Sequence, residues 1–305
     1  MIGDPPALPI VGTPNRFLVI VRAGDQSLHP GWTSEPATRN WDLVVSYFGN
    51  DPDRFRDAGE IRIDDKGLKW AGLHALLARE DFWRAYDYVW LPDDDLAIDQ
   101  AAISTLFATM DELQLALAQP ALSWTSHFSH PVTMQCPSFR VRMTNFVEIM
   151  APCFDRRFLD RCLPTFKETR SGWGLDWLWP RLLPHDSLQC AVIDLATATH
   201  TRPVGGPSYD TLREAGIAPQ DEGAALMRRY GIPADIRFRV VGAIDARGSC
   251  LDVSRPADTA SIGAMLARDW AAFQAFRARC RGEASGNAAP ERRTVYEGGL
   301  VTWRQ

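Results

Sequence analysis

Apolar positions along this chain follow two periods. Arg16 to Val21 (Arg-Phe-Leu-Val-Ile-Val) and Trp41 to Phe48 (Trp-Asp-Leu-Val-Val-Ser-Tyr-Phe) are short runs with few polar interruptions, the composition of strands buried on both faces. Each closes on turn residues, Arg22-Ala23-Gly24-Asp25 and Gly49-Asn50-Asp51-Pro52. Two such strands with a long connection predict a parallel sheet. Ile61 to Ile63 predicts a short third strand, and Val89-Trp90-Leu91, Pro120 to Trp124, Phe146 to Ala151 and Ala191 to Leu195 predict further ones. Ile236 to Ile244 and Ser249 to Val253 predict a hairpin around Asp245-Ala246-Arg247-Gly248.

Between these runs the period lengthens. Leu68, Leu73, Leu76 and Leu77 share a face and predict a helix over 68–84, and helices are also expected over 101–117, over 158–163 before Pro164, and over 260–280, where Ile262, Leu266, Trp270 and Phe273 recur at helical spacing. Residues 125–145 show no clear period and are expected to form a long loop. Pro5, Pro6, Pro9 and Pro14 mark 1–14 as a loose leader, and 282–293, rich in Gly, Ala and charge, are expected to be flexible. No internal repeat stands out. Strands alternating with helices give an α/β fold: a Rossmann-like, mostly parallel sheet flanked by helices over 15–235, with a small C-terminal hairpin-plus-helix appendage and tail over 236–305.

Charge and composition narrow the function. A net charge of −5 argues against a nucleic-acid binder held by phosphate contacts. No run reaches the ~18 apolar residues of a membrane span, and Met1 to Pro14 lacks a basic region followed by an apolar core, so a cytoplasmic protein without a transmembrane segment is expected. The 6 cysteines contain no CxxC pair and read as reduced thiols, indicating neither a zinc knuckle nor a disulfide framework. The 11 tryptophans are many for this length; most are expected in the core, though an indole face also makes a platform for sugars and bases.

The candidate chemistry centres on Tyr86 to Asp99, where Asp93, Asp94 and Asp95 follow a strand directly behind Pro92. Adjacent acids repel, and a hard divalent ion, Mn²⁺ or Mg²⁺, takes such carboxylates together with the phosphates of a substrate. In open α/β sheets the ligand crevice lies at the carboxyl ends of the strands. An acidic loop, or a cap for the helix starting near Asp99, is the plainer reading of the same residues. Lys66 and Lys69 stand at a helix entry, where cations oppose the helix dipole; they are either solvated or hold a phosphate. Glu148 interrupts an apolar run, and needs a partner or a raised pKa if it faces inward. Asp176 follows Gly172-Trp173-Gly174 into a helix, as a first-turn acid or a functional one, and His200 stands just beyond a strand, where a neutral imidazole near carboxylates can ligate metal.

Several of these stretches together resemble one family, the uncharacterised plant and bacterial proteins known as lysine-ketoglutarate reductase trans-splicing-related, whose sequences look like glycosyltransferases of the GT-A fold. The matching pieces are Lys69-Trp70, Tyr86 to Leu96, Gln119-Pro120-Ala121-Leu122-Ser123, Val147 to Pro152, Gly172-Trp173-Gly174-Leu175-Asp176, and Val192-Ile193-Asp194 with His200. They keep the family's order over roughly residues 16–206. Pro92-Asp93-Asp94-Asp95 stands in place of the family's Trp-Asp-Glu-Asp and keeps an acid at each acidic place. The resemblance implies a GT-A-like domain in which Asp93 and Asp95 bind Mn²⁺ or Mg²⁺, joined by His200, against the diphosphate of a nucleotide-sugar donor. Arg22, Lys69 and Asp94 would then face the donor. In a reaction that inverts the anomeric centre, Asp176, with Glu148 as second choice, would take the proton of a carbohydrate or other hydroxyl acceptor on which Trp173 stacks. A metal-dependent nucleotidyl- or phosphotransferase and a non-catalytic sugar or nucleotide binder stay open beside it.

Overall fold

The alternation of side chains in the first strands decides the layering. A computed structural model describes residues 15–57, 59, 61–184, 188–203, 207–281, 294–297 and 300–303; the expected leader and the expected flexible stretch 282–293 lie outside the described residues. β1 (Phe17–Ala23) and β2 (Trp41–Tyr47) pair in parallel along their whole length and are buried throughout. Phe17, Val19 and Val21 face one core layer while Leu18 and Ile20 face another, as the two-residue period of a strand requires. Burying an aliphatic side chain of this kind stabilises the fold by about 1.5–3 kcal/mol.

β3 (Ile61–Asp64) adds to β2 in parallel, and α1 (Lys69–Arg79) stops short of the expected end, giving way to a 3-10 turn at Phe82–Ala85. β4 (Tyr88–Trp90) returns beside β1, followed by β5 (Leu96–Ala97), α2 (Gln100–Glu112) and β6 (Leu117–Leu122). The Asp99 carboxylate caps α2 by accepting from Ala102 N at 2.7 Å. Then come β7 (Phe139–Thr144), β8 (Cys153–Asp155), α3 (Arg156–Cys162), α4 (Leu175–Leu182) and β9 (Cys190–His200). The chain continues through α5 (Pro207–Glu214), α6 (Pro219–Arg229), β10 (Phe238–Asp245), β11 (Cys250–Asp252), α7 (Pro256–Cys280), β12 (Thr294–Glu297) and β13 (Leu300–Trp303).

The strand order is β12-β13-β10-β7-β9-β6-β8-β4-β1-β2-β3, with β11 pairing β10 and β5 pairing β9. Pairing is parallel from β3 to β4 and between β6 and β9, and antiparallel elsewhere, so this α/β sheet is mixed. Trp32, Trp90, Ile103 and Phe107 fill the layer under α2. Trp70, Leu73, Phe154, Phe166 and Trp179 fill the other, under α1, α3 and α4.

Two expectations are corrected. Residues 125–145 are not one loop, because their second half is β7, hydrogen-bonded between β9 and β10. Phe146 to Ala151 is not a strand; Phe146, Val147, Met150 and Ala151 are buried and Ile149 half-buried, while the backbone turns toward the acids behind β4. Arg142 explains how a charged residue sits in a central strand: Nε and Nη2 reach the two Asp194 oxygens at 2.8 and 2.9 Å, and Nη1 and Nη2 donate to the Val132 and Met134 carbonyls at 2.8 Å each. The expected C-terminal hairpin and helix are present and joined to the sheet through β7 and β10. Ile262 and Leu266 of α7 pack on Phe139 and Val240, Phe273 enters the layer under α2, and Asp269 accepts from Ser138 N and Oγ at 2.9 and 2.6 Å. Among the described residues no helix is long and apolar enough to cross a membrane, and the 6 cysteines are unbridged.

Candidate functional site

The acids stand where the parallel strands end. β4 finishes at Trp90, and past it Leu91 N and Asp93 N donate to the Pro152 and Met150 carbonyls at 2.9 and 2.7 Å, which turns the chain along the segment leading into β8. β5 follows the acids directly and pairs antiparallel with the tail of β9, Leu96 opposite His200. β9 and β6 shift register at Pro120 of β6, whose missing N–H interrupts the ladder: Ile193 stands opposite Pro120, but Thr197 stands opposite Ala121, so β9 carries three extra residues there. Beyond this bulge the last residues of β9 pair with β5, and that pairing sets His200 beside Asp95.

Each aspartate has a different neighbour. Asp93 accepts from Lys69 Nζ at 2.6 Å, and the same ammonium donates to the carbonyls of Ile149 and Met150 at 2.9 and 3.3 Å. Burial pushes the Asp93 carboxyl above its usual range, Lys69 pulls it down and the Asp95 charge pushes it up. Asp94 accepts from Gly24 N at 2.8 Å and from Arg202 Nη1 at 3.0 Å, tying the end of β1 to the chain beyond β9; burial raises it too. Asp95 Oδ2 lies 3.3 Å from His200 Nε2, while Oδ1 is buried without a hydrogen-bond partner. His200 Nδ1 meets the His127 carbonyl at 2.8 Å, and because a carbonyl only accepts, Nδ1 carries the hydrogen and Nε2 faces Asp95. Burial works against the imidazolium, but hydrogen bonding and charge from Asp95 outweigh it, and the His200 pKa is held up at about 9.

A second pair of acids shares the cleft. Asp176 lies in the first turn of α4, reached through Gly172 and Gly174, both with positive φ (86° and 92°). A Cβ at Gly172 would overlap the Trp70 indole, so only glycine admits this approach to α1. Burial pushes Asp176 up to about 7 against the backbone N–H groups of Trp177, Asp176 and Gly174, the first of them 3.0 Å from Oδ1. Glu148 is anchored by its own N–H, which donates to Gln119 Oε1 at 2.6 Å. Its Oε1 stands 4.0 Å from His130 Nε2, and its Oε2 is buried without a partner. Burial first, then the Asp176 charge, pushes Glu148 up to about 8, with His200 and Lys69 pulling the other way, so the two groups of acids form one electrostatic site. Burial lowers His130 to about 4, leaving a neutral ring 4.8 Å from Phe146 and 5.3 Å from Phe238. Trp177 stacks on Phe238 at 4.8 Å, and it and Trp173, the one just after and the other three residues before Asp176 in the chain, are half-buried.

The structure thus gathers Lys69, Asp93, Asp94, Asp95, Glu148, Asp176 and His200. Arg22 has its own network: it donates to Ser46 Oγ, Asp65 Oδ2 and the Gly67 carbonyl at 2.9, 2.8 and 2.6 Å, binding β1 to the chain around β3. Arg202, His127, His130 and Gln119 were not singled out by sequence reasoning. For Arg202 a signal existed, a cation two residues past His200 and just before Pro203. Among the described residues no group of three or more His, Cys, Asp or Glu side chains is disposed to hold a metal ion. What the chain offers instead is Asp95 with His200, and an orphaned carboxylate oxygen in a buried place. A hard divalent ion completed by substrate phosphates asks for one or two protein carboxylates, so this set fits such an ion.

No protein-family profile matches the sequence, and no curated protein matches it. Part of this chain aligns with several solved structures. Glucosyl-3-phosphoglycerate synthase from Mycobacterium tuberculosis, solved with Mn²⁺, UDP-glucose and phosphoglyceric acid, is 15% identical over 73% of this chain and 83% of its own, with a TM-score of 0.41. The mannosyltransferase PcManGT from Pyrobaculum calidifontis, in complex with GDP-Man and Mn²⁺, is 13% identical over 72% and 68%, at 0.46. TarS from S. aureus is 11% identical over 70% of this chain at 0.44, and the matched part is 43% of TarS.

Proposed function

We propose that this protein is a metal-dependent glycosyltransferase of the GT-A type, moving a sugar from a nucleotide-sugar donor to a hydroxyl acceptor. The observation that carries the reading is Asp95, whose one oxygen pairs with His200 while the other is buried and unpartnered. Such an oxygen is costly unless a cation or donor completes it. Asp95 and His200 would hold Mn²⁺ or Mg²⁺, His200 giving up its Nε2 proton as the ion binds, with Asp93 held beside them by Lys69, and the bound ion would supply Lewis-acid stabilisation of the charge on the departing diphosphate. Lys69 and Arg202, already paired with Asp93 and Asp94, keep those carboxylates in place for the donor and balance their charge. Asp176, at about 7, accepts the acceptor's hydroxyl proton near neutral pH. Glu148, at about 8, stays protonated there and so leaves Asp176 the ionised member of the pair. Trp173, half-buried three residues before Asp176, would offer its apolar face to the acceptor. A cytoplasmic setting belongs to the same reading, supported by unbridged thiols.

The test is turnover of UDP-glucose and GDP-mannose with Mn²⁺, reading which fragment leaves. Release of nucleoside diphosphate, lowered about 10²–10⁴-fold in Asp176→Asn with donor binding retained, is the expected result. Release of pyrophosphate or nucleoside monophosphate would replace this reading with a nucleotidyl- or phosphotransferase. Tight binding of a nucleotide sugar with no release over many hours would leave a binding protein.

A further inference from the structure

We propose that Glu222, on α6, is a positioning residue that fixes the turn carrying Asp176, acting on the reaction through that turn without touching substrate. The inference rests on the reading of Asp176 as the acceptor's base and deepens it. Its basis is the hydrogen bonding of residues 169–174, the approach to α4. The Glu222 carboxylate accepts from Arg170 N at 3.2 Å and from Ser171 N at 2.9 Å. It also takes the Thr169 hydroxyl at 3.2 Å. The next two amides are satisfied by hydroxyls of the same group: Gly172 N donates to Thr169 Oγ1 and Trp173 N to Ser171 Oγ, each at 3.2 Å. Four consecutive backbone donors are thus served by one carboxylate and the two hydroxyls that stand beside it. Burial opposes the charge on Glu222, yet its bonds to Ser171, Arg170 and Thr169 outweigh burial and hold the carboxyl below its usual range.

The residue after Glu222 completes the grip. A Cβ at Gly223 would lie 3.2 Å from Trp173 Cβ, and one at Gly174 would lie 3.1 Å from Leu226 and 3.2 Å from the Gly223 carbonyl. α6 therefore presses a bare stretch of backbone onto Trp173 and Gly174 while its carboxylate holds Thr169, Arg170 and Ser171. On the opposite side Gly172 abuts Trp70 of α1, next to Lys69, which holds Asp93. The turn is clamped between α1 and α6, and this clamp holds Asp176 in its buried place in the first turn of α4. Two glycines with positive φ give that turn wide conformational freedom, so it needs such an external clamp.

The experiment compares the full-length protein with Glu222→Ala and Glu222→Gln, reading amide hydrogen exchange over residues 169–177 and the Asp176 carboxyl titration by carbon-13 NMR. In Glu222→Ala the Arg170 and Ser171 amides should exchange at least tenfold faster, and the Asp176 pKa should fall by at least one toward the ordinary carboxylate range. Glu222→Gln keeps one accepting oxygen and should recover part of both effects. An Asp176 titration unchanged in folded Glu222→Ala overturns the proposal. Should Glu222→Ala not fold, Gly223→Ala, whose methyl presses on Trp173, must shift the same titration, and no shift there overturns it equally. Asp176→Asn separates this inference from the one beneath it: full turnover in that variant would remove Asp176 as base, while the titration of the Glu222 variants still decides the clamp.

Discussion

Two buried carboxyls in one cleft make the protein's behaviour depend on pH in a fixed direction. Glu148 sits at about 8 when folded, against about 4.3 for an exposed glutamate. A folded value above the unfolded one means that the folded form holds the proton longer, so stability is full below pH 4 and is lost as pH rises toward 8. Glu148→Gln removes that loss. It should stabilise the protein by about 1–3 kcal/mol at pH 8 and by almost nothing at pH 4, measured by urea unfolding at both. An equal difference at the two pH values would contradict the burial of a titrating Glu148. Turnover should climb with pH through about 7 as Asp176 ionises. At this scale the sequence was legible where the chemistry is local. Three acids behind an apolar run are visible in a string of letters; that Asp94 bonds Gly24 and Arg202, and that Lys69 serves Asp93, is not, because each partner lies tens of residues away.

Secondary structure was readable where burial and hydrogen-bond ladder coincide, and misread where they part. β1 and β2 are continuous apolar runs that are also central strands. Phe146 to Met150 is as apolar, yet its backbone serves the site: the Ile149 and Met150 carbonyls take Lys69. β7 carries the opposite signal: Phe139, Val141 and Met143 alternate with Arg140, Arg142 and Thr144, but the alternation spans only six residues of 125–145, a stretch with no clear period as a whole. Asp194 is what allows Arg142 inside, and the ion pair also pins the chain at Val132 and Met134. Removing one partner leaves a buried uncompensated charge, so Asp194→Ala should cost about 3–5 kcal/mol in urea unfolding. A cost under about 1 kcal/mol would mean that the pair is solvated, as surface pairs are.

For the molecule as a whole, residues beyond 235 complete the sheet. β10 hydrogen-bonds β7, Phe273 lies among the residues under α2, and Phe238 stacks with Trp177 near Asp176. The full chain should therefore unfold in one cooperative transition by calorimetry, and a chain ending at 235, with β7 bared as an apolar edge, should aggregate or fail to show that transition. Two separate transitions in the full chain would contradict this. The same sheet brings the ends of β1, β4 and β9 to one edge, where Asp95 meets His200. The most direct test of metal-dependent donor binding there is the melting temperature with UDP and GDP, with and without Mn²⁺, in the wild-type protein and Asp95→Ala. One nucleotide should stabilise the wild-type protein only with Mn²⁺, by about 2.7 kcal/mol at a hundredfold excess over its Kd. In Asp95→Ala that stabilisation should vanish while the unliganded protein stays folded. Stabilisation that ignores Mn²⁺, or that survives in Asp95→Ala, would contradict the assignment.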